Sequence, residues 1–189
     1  KLLFFLHTTF TISSGDIGAS HYFYDHLRLL QYFSSGNLKE LAKKITLDNA
    51  MLNYLDNTQN NANNPNENYA REFLELFTIT KGEQIGDGDY STYTEDDVIM
   101  AAKVFSGFKT NLDRTLIDPD TGIPMGRISV NQHDQSTKTF SHAFDNYQLA
   151  GGTDENTIMS ELHEFVDMIF DKQATARAYV STVSYTHLT

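Results

Sequence analysis

Three ionisable residues in the first half of the chain have a spacing that could support chemistry. Arg71, Glu72 and Glu75 fall on one face of a predicted helix, where residues three and four apart are neighbours. Carboxylates on such a face can transfer protons, and a guanidinium can hold an anionic group. The same residues could instead form a structural ion-pair network, in which each exposed pair contributes about 0.2–0.5 kcal/mol.

The pair His133-Asp134 forms the second candidate. An imidazole next to a carboxylate can perform acid–base catalysis near neutral pH or bind zinc or iron. Two adjacent side chains rarely hold one ion without help, so a functional site here requires Glu72 or Glu75 to lie nearby in the fold. We therefore take Glu72, Glu75, Arg71 and His133 as catalytic candidates. The alternative is that His133 and Asp134 only stabilise a turn.

The other histidines carry weaker signals. His7 and His142 are further candidate ligands, whereas His21, His26 and His163 lie on helical segments and are interpreted as surface or packing residues. The chain contains no nucleophile elbow, phosphate-binding loop, dinucleotide fingerprint or paired-histidine zinc motif.

An asparagine-rich loop from Asp56 to Glu67 can be aligned with a calcium-binding loop. Its ligands at positions one, five, seven, nine and twelve would then be Asp56, Asn60, the Ala62 carbonyl, Asn64 and Glu67. Thr58 at position three and Asn61 in place of the usual glycine argue against this alignment. The alternative is a plain connection in which Glu67 caps the next helix. Asp134, His133, Asp56 and Glu67 are thus the candidate ligands of an unidentified divalent metal.

The helix that carries the first candidate has two start signals. Asn64 is the predicted N-cap, Pro65 suits the first helical position, and Glu67 follows the cap by three residues. Apolar residues recur at helical spacing on the opposite face and predict a buried stripe of Tyr69, Phe73, Leu76 and Phe77.

Further helices are predicted along the chain from apolar periodicity and caps. They cover 19–33, 38–45 after Asn37, a short segment after Asp48, a segment after Thr94, and one after Gly151-Gly152-Thr153. Between 109 and 140 the pattern changes, and β-prone pieces at 115–117 and 127–130 flank a turn at 118–122. We predict a mainly α fold, a single-domain helical bundle-like array with a small β-hairpin insertion.

Composition excludes several classes of protein. The net charge of −11, from 14 basic and 25 acidic residues, argues against unaided nucleic-acid binding. The absence of cysteine excludes disulfides and thiolate catalysis. No apolar run is long enough to span a bilayer. At 189 residues we expect one domain over 1–183, a fragment of a longer protein, and a non-native tail at 184–189.

Several segments, taken in order, resemble a bacterial family known as domain of unknown function 1800 (DUF1800). They are FFLHTTF at 4–10, MLNYLDN at 51–57, PNENYARE at 65–72, LELFT at 74–78, YTEDDV at 93–98, FSGF at 105–108, and His133-Asp134 with Lys138-Thr139-Phe140. The sequence departs from the family pattern at Phe5, Thr8, Phe108 and Ile79-Thr80. The resemblance implies a mostly helical protein that is exported in bacteria, and it implies no established activity.

Two functional classes follow from these features. One is a metal-assisted or acid–base enzyme of the bacterial cell envelope, which a pocket containing Glu72, Glu75 and His133 would favour. The other is a non-catalytic extracytoplasmic binding or assembly protein, which dispersed charges and a broad aromatic surface would favour.

Overall fold

The computed structural model describes residues 1–13, 15 and 19–187, and from residue 182 onward it describes the backbone alone. The predicted tail at 184–189 therefore has no described side chains, and 188–189 lie outside the described residues. The helices are α1 Leu2–Thr9, α2 Ser20–Tyr32, α3 Leu38–Ile45, α4 Asn49–Tyr54, α5 Glu67–Glu72, α6 Glu95–Val104, α7 Glu155–Phe170 and α8 Gln173–His187. A π-helical segment, Phe73–Phe77, continues α5.

Helix boundaries follow the predicted caps closely. Asn37 accepts hydrogen bonds from the backbone of α3, and Asp48 accepts one from the Met51 N–H in α4. Thr94 and Asp97 form a reciprocal capping box at α6. Each cap satisfies an N–H that the first helical turn leaves without a backbone partner. The mainly α prediction is confirmed.

The start of α5 differs from the prediction. Asn64 is not the N-cap, because its backbone pairs with Asn61 in a tight turn. Asn66 caps the helix instead, and its side-chain oxygen accepts from the Asn68 N–H at 3.0 Å. Asn66 also donates to the Asp56 carbonyl at 3.2 Å, which ties the loop to the helix.

Replacing the observed cap should destabilise the protein. We expect Asn66→Ala to lower the unfolding free energy by about 1 kcal/mol, because one first-turn N–H loses its acceptor. Asn64→Ala is the matched control, with an expected change below about 0.5 kcal/mol. Urea denaturation measures both, and an equal loss in the two variants would contradict the assignment.

The β-structure is small and differs in pairing from the prediction. Strand β1 Phe108–Lys109 pairs antiparallel with β2 Arg127–Ile128, and β3 Lys138–Thr139 pairs with β4 Gln148–Leu149. The predicted turn at 118–122 forms, but Ile117 bridges to Pro124 rather than to the 127–130 segment. The bridge is held by two hydrogen bonds, from the Asp118 N–H to the Ile123 carbonyl and from the Met125 N–H to the Leu116 carbonyl, both at 2.9 Å.

One apolar core joins helices α1 to α7. It includes Leu6, Leu30, Leu41, Met51, Phe73, Val98 and Phe165. Among the described residues, no helix combines the length and the apolar character needed to cross a bilayer.

In the described part of the chain, ionisable side chains that are buried in the core find partners of complementary chemistry. The His26 Nδ1 lies 2.6 Å from the Asp48 carboxylate, and Arg114 donates two hydrogen bonds to Asp25. His133 lies 2.9 Å from Glu161, which also pairs with Lys138. The interpretation of His26 as an ordinary packing residue missed this role: its ring is fully buried and paired.

Candidate functional site

The π-helical segment sets the geometry of the candidate site. A π-helix closes each turn with an extra residue, so side chains after its start rotate relative to an α-helix. Phe73 and Phe77 are buried as predicted, but Leu76 is 59% exposed, and Leu74 is fully buried in its place. The predicted stripe is therefore wrong at Leu76. Such segments are frequent at functional sites.

Glu72 and Glu75 line the same cleft, which has a volume of about 760 Å³. The cleft lies between the π-helical segment, the end of α1 and the end of α4. The other lining residues are Thr8, Thr9, Thr11, Tyr54, Leu55, Leu76, Phe77 and Thr80. The two carboxylates thus face one concave surface, as a reactive site requires.

The two carboxylates have different surroundings. Glu75 accepts a hydrogen bond from the Tyr93 hydroxyl at 2.8 Å and pairs with the Lys81 ammonium at 2.9 Å. Within the described part of the chain, Glu72 has neither a hydrogen-bond nor an ion-pair partner. Burial, reinforced by the nearby charge of Glu75, raises the pKa of Glu72.

Tyr93 is a site residue that the sequence did not indicate. It is fully buried, and burial together with its hydrogen bond to Glu75 raises the pKa of its hydroxyl. The phenol therefore remains a proton donor to Glu75 across the physiological pH range. Tyr93 directly precedes the predicted cap Thr94, but no spacing rule shows that its hydroxyl reaches another helix.

Arg71 turns away from these carboxylates. Its guanidinium binds Glu95 through both terminal nitrogens and pairs with Glu67 at 3.2 Å. The hydrogen bond to Glu95 raises the pKa of Arg71, and the same bond lowers the pKa of Glu95. Arg71 therefore joins α5 to α6 as a structural ion pair.

His133 and Asp134 belong to a different cluster. The His133 ring is buried, with Nδ1 2.8 Å from the Ser106 carbonyl and Nε2 2.9 Å from Glu161. Asp134 accepts from the Ser136 backbone at 2.9 Å. Within the described residues, no hydrogen bond or ion pair connects His133 or Asp134 with Glu72 or Glu75. The structure does not bring the two sequence candidates into contact.

The candidate metal ligands are also dispersed. Asp56 is exposed, Glu67 pairs with Arg71, and the Asn60 amide is buried against the Ala102 carbonyl at 2.8 Å. Across the described ranges, no three histidine, aspartate or glutamate side chains converge as a metal site requires. Calcium binding by this loop stays a prediction, which a calorimetric titration would test.

The raised pKa of Glu72 has a consequence for stability. A carboxyl whose pKa is higher in the folded chain than in the unfolded chain costs stability as pH rises through that interval. We therefore expect Glu72→Gln to leave stability unchanged at pH 4 and to increase it by at most about 1 kcal/mol at pH 7, allowing for solvent screening.

Urea denaturation at the two pH values measures this effect, with Glu83→Gln as the control on an exposed loop. A loss of several kcal/mol at pH 7 would instead show that Glu72 belongs to a structural ion network.

Comparison with known proteins gives a family but no characterised relative. No curated protein matches the chain, and no solved structure matches it. A family described as "Protein of unknown function (DUF1800)" matches residues 1–184 of 189. The chain therefore belongs to the DUF1800 family.

Proposed function

We propose that this protein is a general acid–base enzyme in which Glu72 donates a proton and Glu75 acts as a carboxylate. The observation that carries the proposal is the shared cleft, in which the two side chains have opposite surroundings. The Tyr93 hydroxyl and the Lys81 ammonium contact Glu75, and neither makes a hydrogen bond with Glu72, so the two neighbouring carboxyls are suited to different roles. Glu72 is the acid because its pKa is raised.

The cleft wall favours a substrate that donates hydrogen bonds. Thr8, Thr9 and Thr11 each direct their hydroxyl hydrogen to a backbone carbonyl of α1. Their oxygens, like the Glu75 carboxylate, are therefore available as acceptors. The Glu75 carboxylate also repels anionic substrates. A neutral, hydroxyl-rich molecule such as a glycan fits this surface, and Tyr54 and Leu55 supply apolar area for a sugar ring.

In this reaction class the glycosidic C–O bond breaks as Glu72 protonates the leaving oxygen, and Glu75 stabilises the positive charge that develops on the anomeric carbon. A water molecule then forms the new C–O bond at that carbon and gives its proton back to the Glu72 carboxylate. Lys81 and Tyr93 hold Glu75 in place. The rate should fall as pH rises above the raised pKa of Glu72, because the acid form is then lost.

The test is hydrolysis of a panel of nitrophenyl glycosides between pH 4 and pH 8. We expect Glu72→Gln and Glu75→Gln each to reduce kcat/KM by about 10²–10⁴-fold, and Glu83→Gln to have no effect. Hydrolysis that persists in Glu72→Gln, or no turnover of any glycoside by the parent protein, would contradict the proposal.

Metal use and location are separate parts of the proposal. Elemental analysis of the full-length protein, purified without chelator, tests the metal-assisted version. Resemblance to the family supports a place in the cell envelope, and fractionation of cells that express the full-length protein tests it.

Exposed apolar side chains favour a second candidate, a non-catalytic extracytoplasmic binding or assembly protein. Phe4 is 72% exposed and Leu112 is 80% exposed, and exposed apolar area is what a binding partner would cover. In that case Phe4→Ser or Leu112→Ser would abolish partner capture, whereas Glu72→Gln would leave it unchanged.

A further inference from the structure

A second cavity, of about 460 Å³, lies between α3, the turn at 118–122 and the first turns of α7. It shares no lining residue with the Glu72 cleft. Its floor is apolar and is formed by Leu29, Leu47, Ile123, Met125, Ile128 and Met159. A volume of this size and a floor of this character suit a small molecule with an apolar body.

Most charged groups that line this cavity already have partners in the fold. Lys43 pairs with Asp167 at 3.0 Å, and Asp48 pairs with His26 at 2.6 Å. Lys44 lies 2.5 Å from Asp118. These groups cannot offer a full charge to a ligand.

The turn at 118–122 contributes two carboxylates to the lining, and α7 contributes the imidazole of His163. Lys44 also pairs with Asp120 at 2.6 Å, so one ammonium serves both turn carboxylates and this group of three keeps one net negative charge. Burial, followed by the effect of Lys43, lowers the pKa of His163, so its imidazole is neutral at pH 7.

Two further lining residues, of opposite charge, make no such pair. Arg127 and Glu155 are exposed, and within the described part of the chain neither side chain has a hydrogen-bond or ion-pair partner. Both line the cavity, yet they are not paired with each other. A guanidinium suits a carboxylate, and a carboxylate suits an ammonium group.

We propose that this cavity binds a zwitterion with an apolar side chain, the chemistry of an apolar α-amino acid. Its carboxylate pairs with Arg127, its ammonium group pairs with Glu155, and its side chain covers the apolar floor. An anion alone would leave Glu155 uncompensated, and a cation alone would leave Arg127 uncompensated. The cavity is separate from the Glu72 cleft, so binding here does not depend on the proposed function.

Calorimetric titration with three probes of equal apolar body tests the assignment. Phenylalanine carries both charges, 3-phenylpropanoate carries only the carboxylate, and phenylalaninamide carries only the ammonium group. We expect phenylalanine to bind at least tenfold more tightly than either of the other two. Equal affinity for the three probes, or no phenylalanine binding at millimolar concentration, would overturn the proposal.

Variants locate the site. Arg127→Gln should weaken phenylalanine binding at least tenfold while leaving phenylalaninamide unaffected, and Glu155→Gln should have the mirror effect with 3-phenylpropanoate. Arg177→Gln on the exposed face of α8 is the control. Met159→Trp, which fills the cavity, should abolish binding. Phenylalanine binding that survives both charge variants would place the ligand elsewhere and contradict the inference.

Discussion

Glu161→Gln should destabilise the protein by about 3–5 kcal/mol, the cost of removing one partner from a buried charged pair. Glu161 is 2% exposed, and Lys138, whose ammonium lies 2.7 Å from it, is fully buried. A neutral amide would leave that ammonium without its main counter-charge. Asp134 lies farther away, at 3.7 Å, and compensates only in part.

The same carboxylate also orders two loops. It accepts from the Gly152 N–H at 2.6 Å, and it lies 2.9 Å from His133 Nε2. The Ser106 carbonyl can only accept, so His133 Nδ1 carries a proton towards it. Losing Glu161 therefore loosens β3, the His133 turn and the start of α7 together.

Urea denaturation measures the loss, with Glu164→Gln on the exposed face of the same helix as the control, expected within about 0.5 kcal/mol. The double variant Glu161→Gln/Lys138→Met should lose less than the sum of the single variants, because it leaves no unpaired ammonium. The assignment of a buried charge network would be contradicted if the losses of unfolding free energy were additive, or if Glu161→Gln cost less than about 1 kcal/mol.

Asp48→Ala should also lower the unfolding free energy by about 3–5 kcal/mol, because the buried Asp48 carboxylate makes two separate interactions. It caps α4 through the Met51 N–H at 3.2 Å, and it pairs with His26 at 2.6 Å. The other ring nitrogen of His26 lies 3.0 Å from the Phe10 carbonyl. This chain of hydrogen bonds connects the C-terminal end of α1, the middle of α2 and the start of α4.

Asp48→Asn separates the helix cap from the pairing with His26. Its amide oxygen can still cap α4, so we expect the asparagine variant to recover about 1 kcal/mol relative to the alanine variant. Thermal denaturation and urea denaturation of the two variants measure the difference. If the two variants lose the same unfolding free energy, the cap contributes nothing. If Asp48→Ala loses almost none, the buried pair with His26 does not stabilise the fold.

The sequence predicted the helices well because caps and apolar periodicity are local signals. Asn37, Asp48 and Thr94 each hold the position that spacing predicts. The Asn66 cap was missed because several asparagines compete within a few residues, and the Asn61–Asn64 turn decides between them. Periodicity also failed at Leu76, since an α-helical repeat cannot anticipate a π-helical turn.

The candidate site could be predicted only in part. Glu72 and Glu75 were identified from their shared face, and the structure places both on one cleft. Their separation from His133, and the contact between Glu75 and Tyr93, depend on packing between distant segments. No spacing rule in a single sequence specifies such contacts. Buried pairs such as His26 with Asp48 are missed for the same reason.

The most direct test of the acid–base assignment is an NMR titration of the Glu72 side-chain carboxyl carbon in the parent protein and in Glu75→Gln. We expect the pKa of Glu72 to lie above its ordinary value in the parent protein, because of burial and the charge of Glu75. Removing that charge should lower the pKa of Glu72, but the pKa should stay above its ordinary value because the side chain is still partly buried. An ordinary pKa that does not respond to Glu75→Gln would contradict the account.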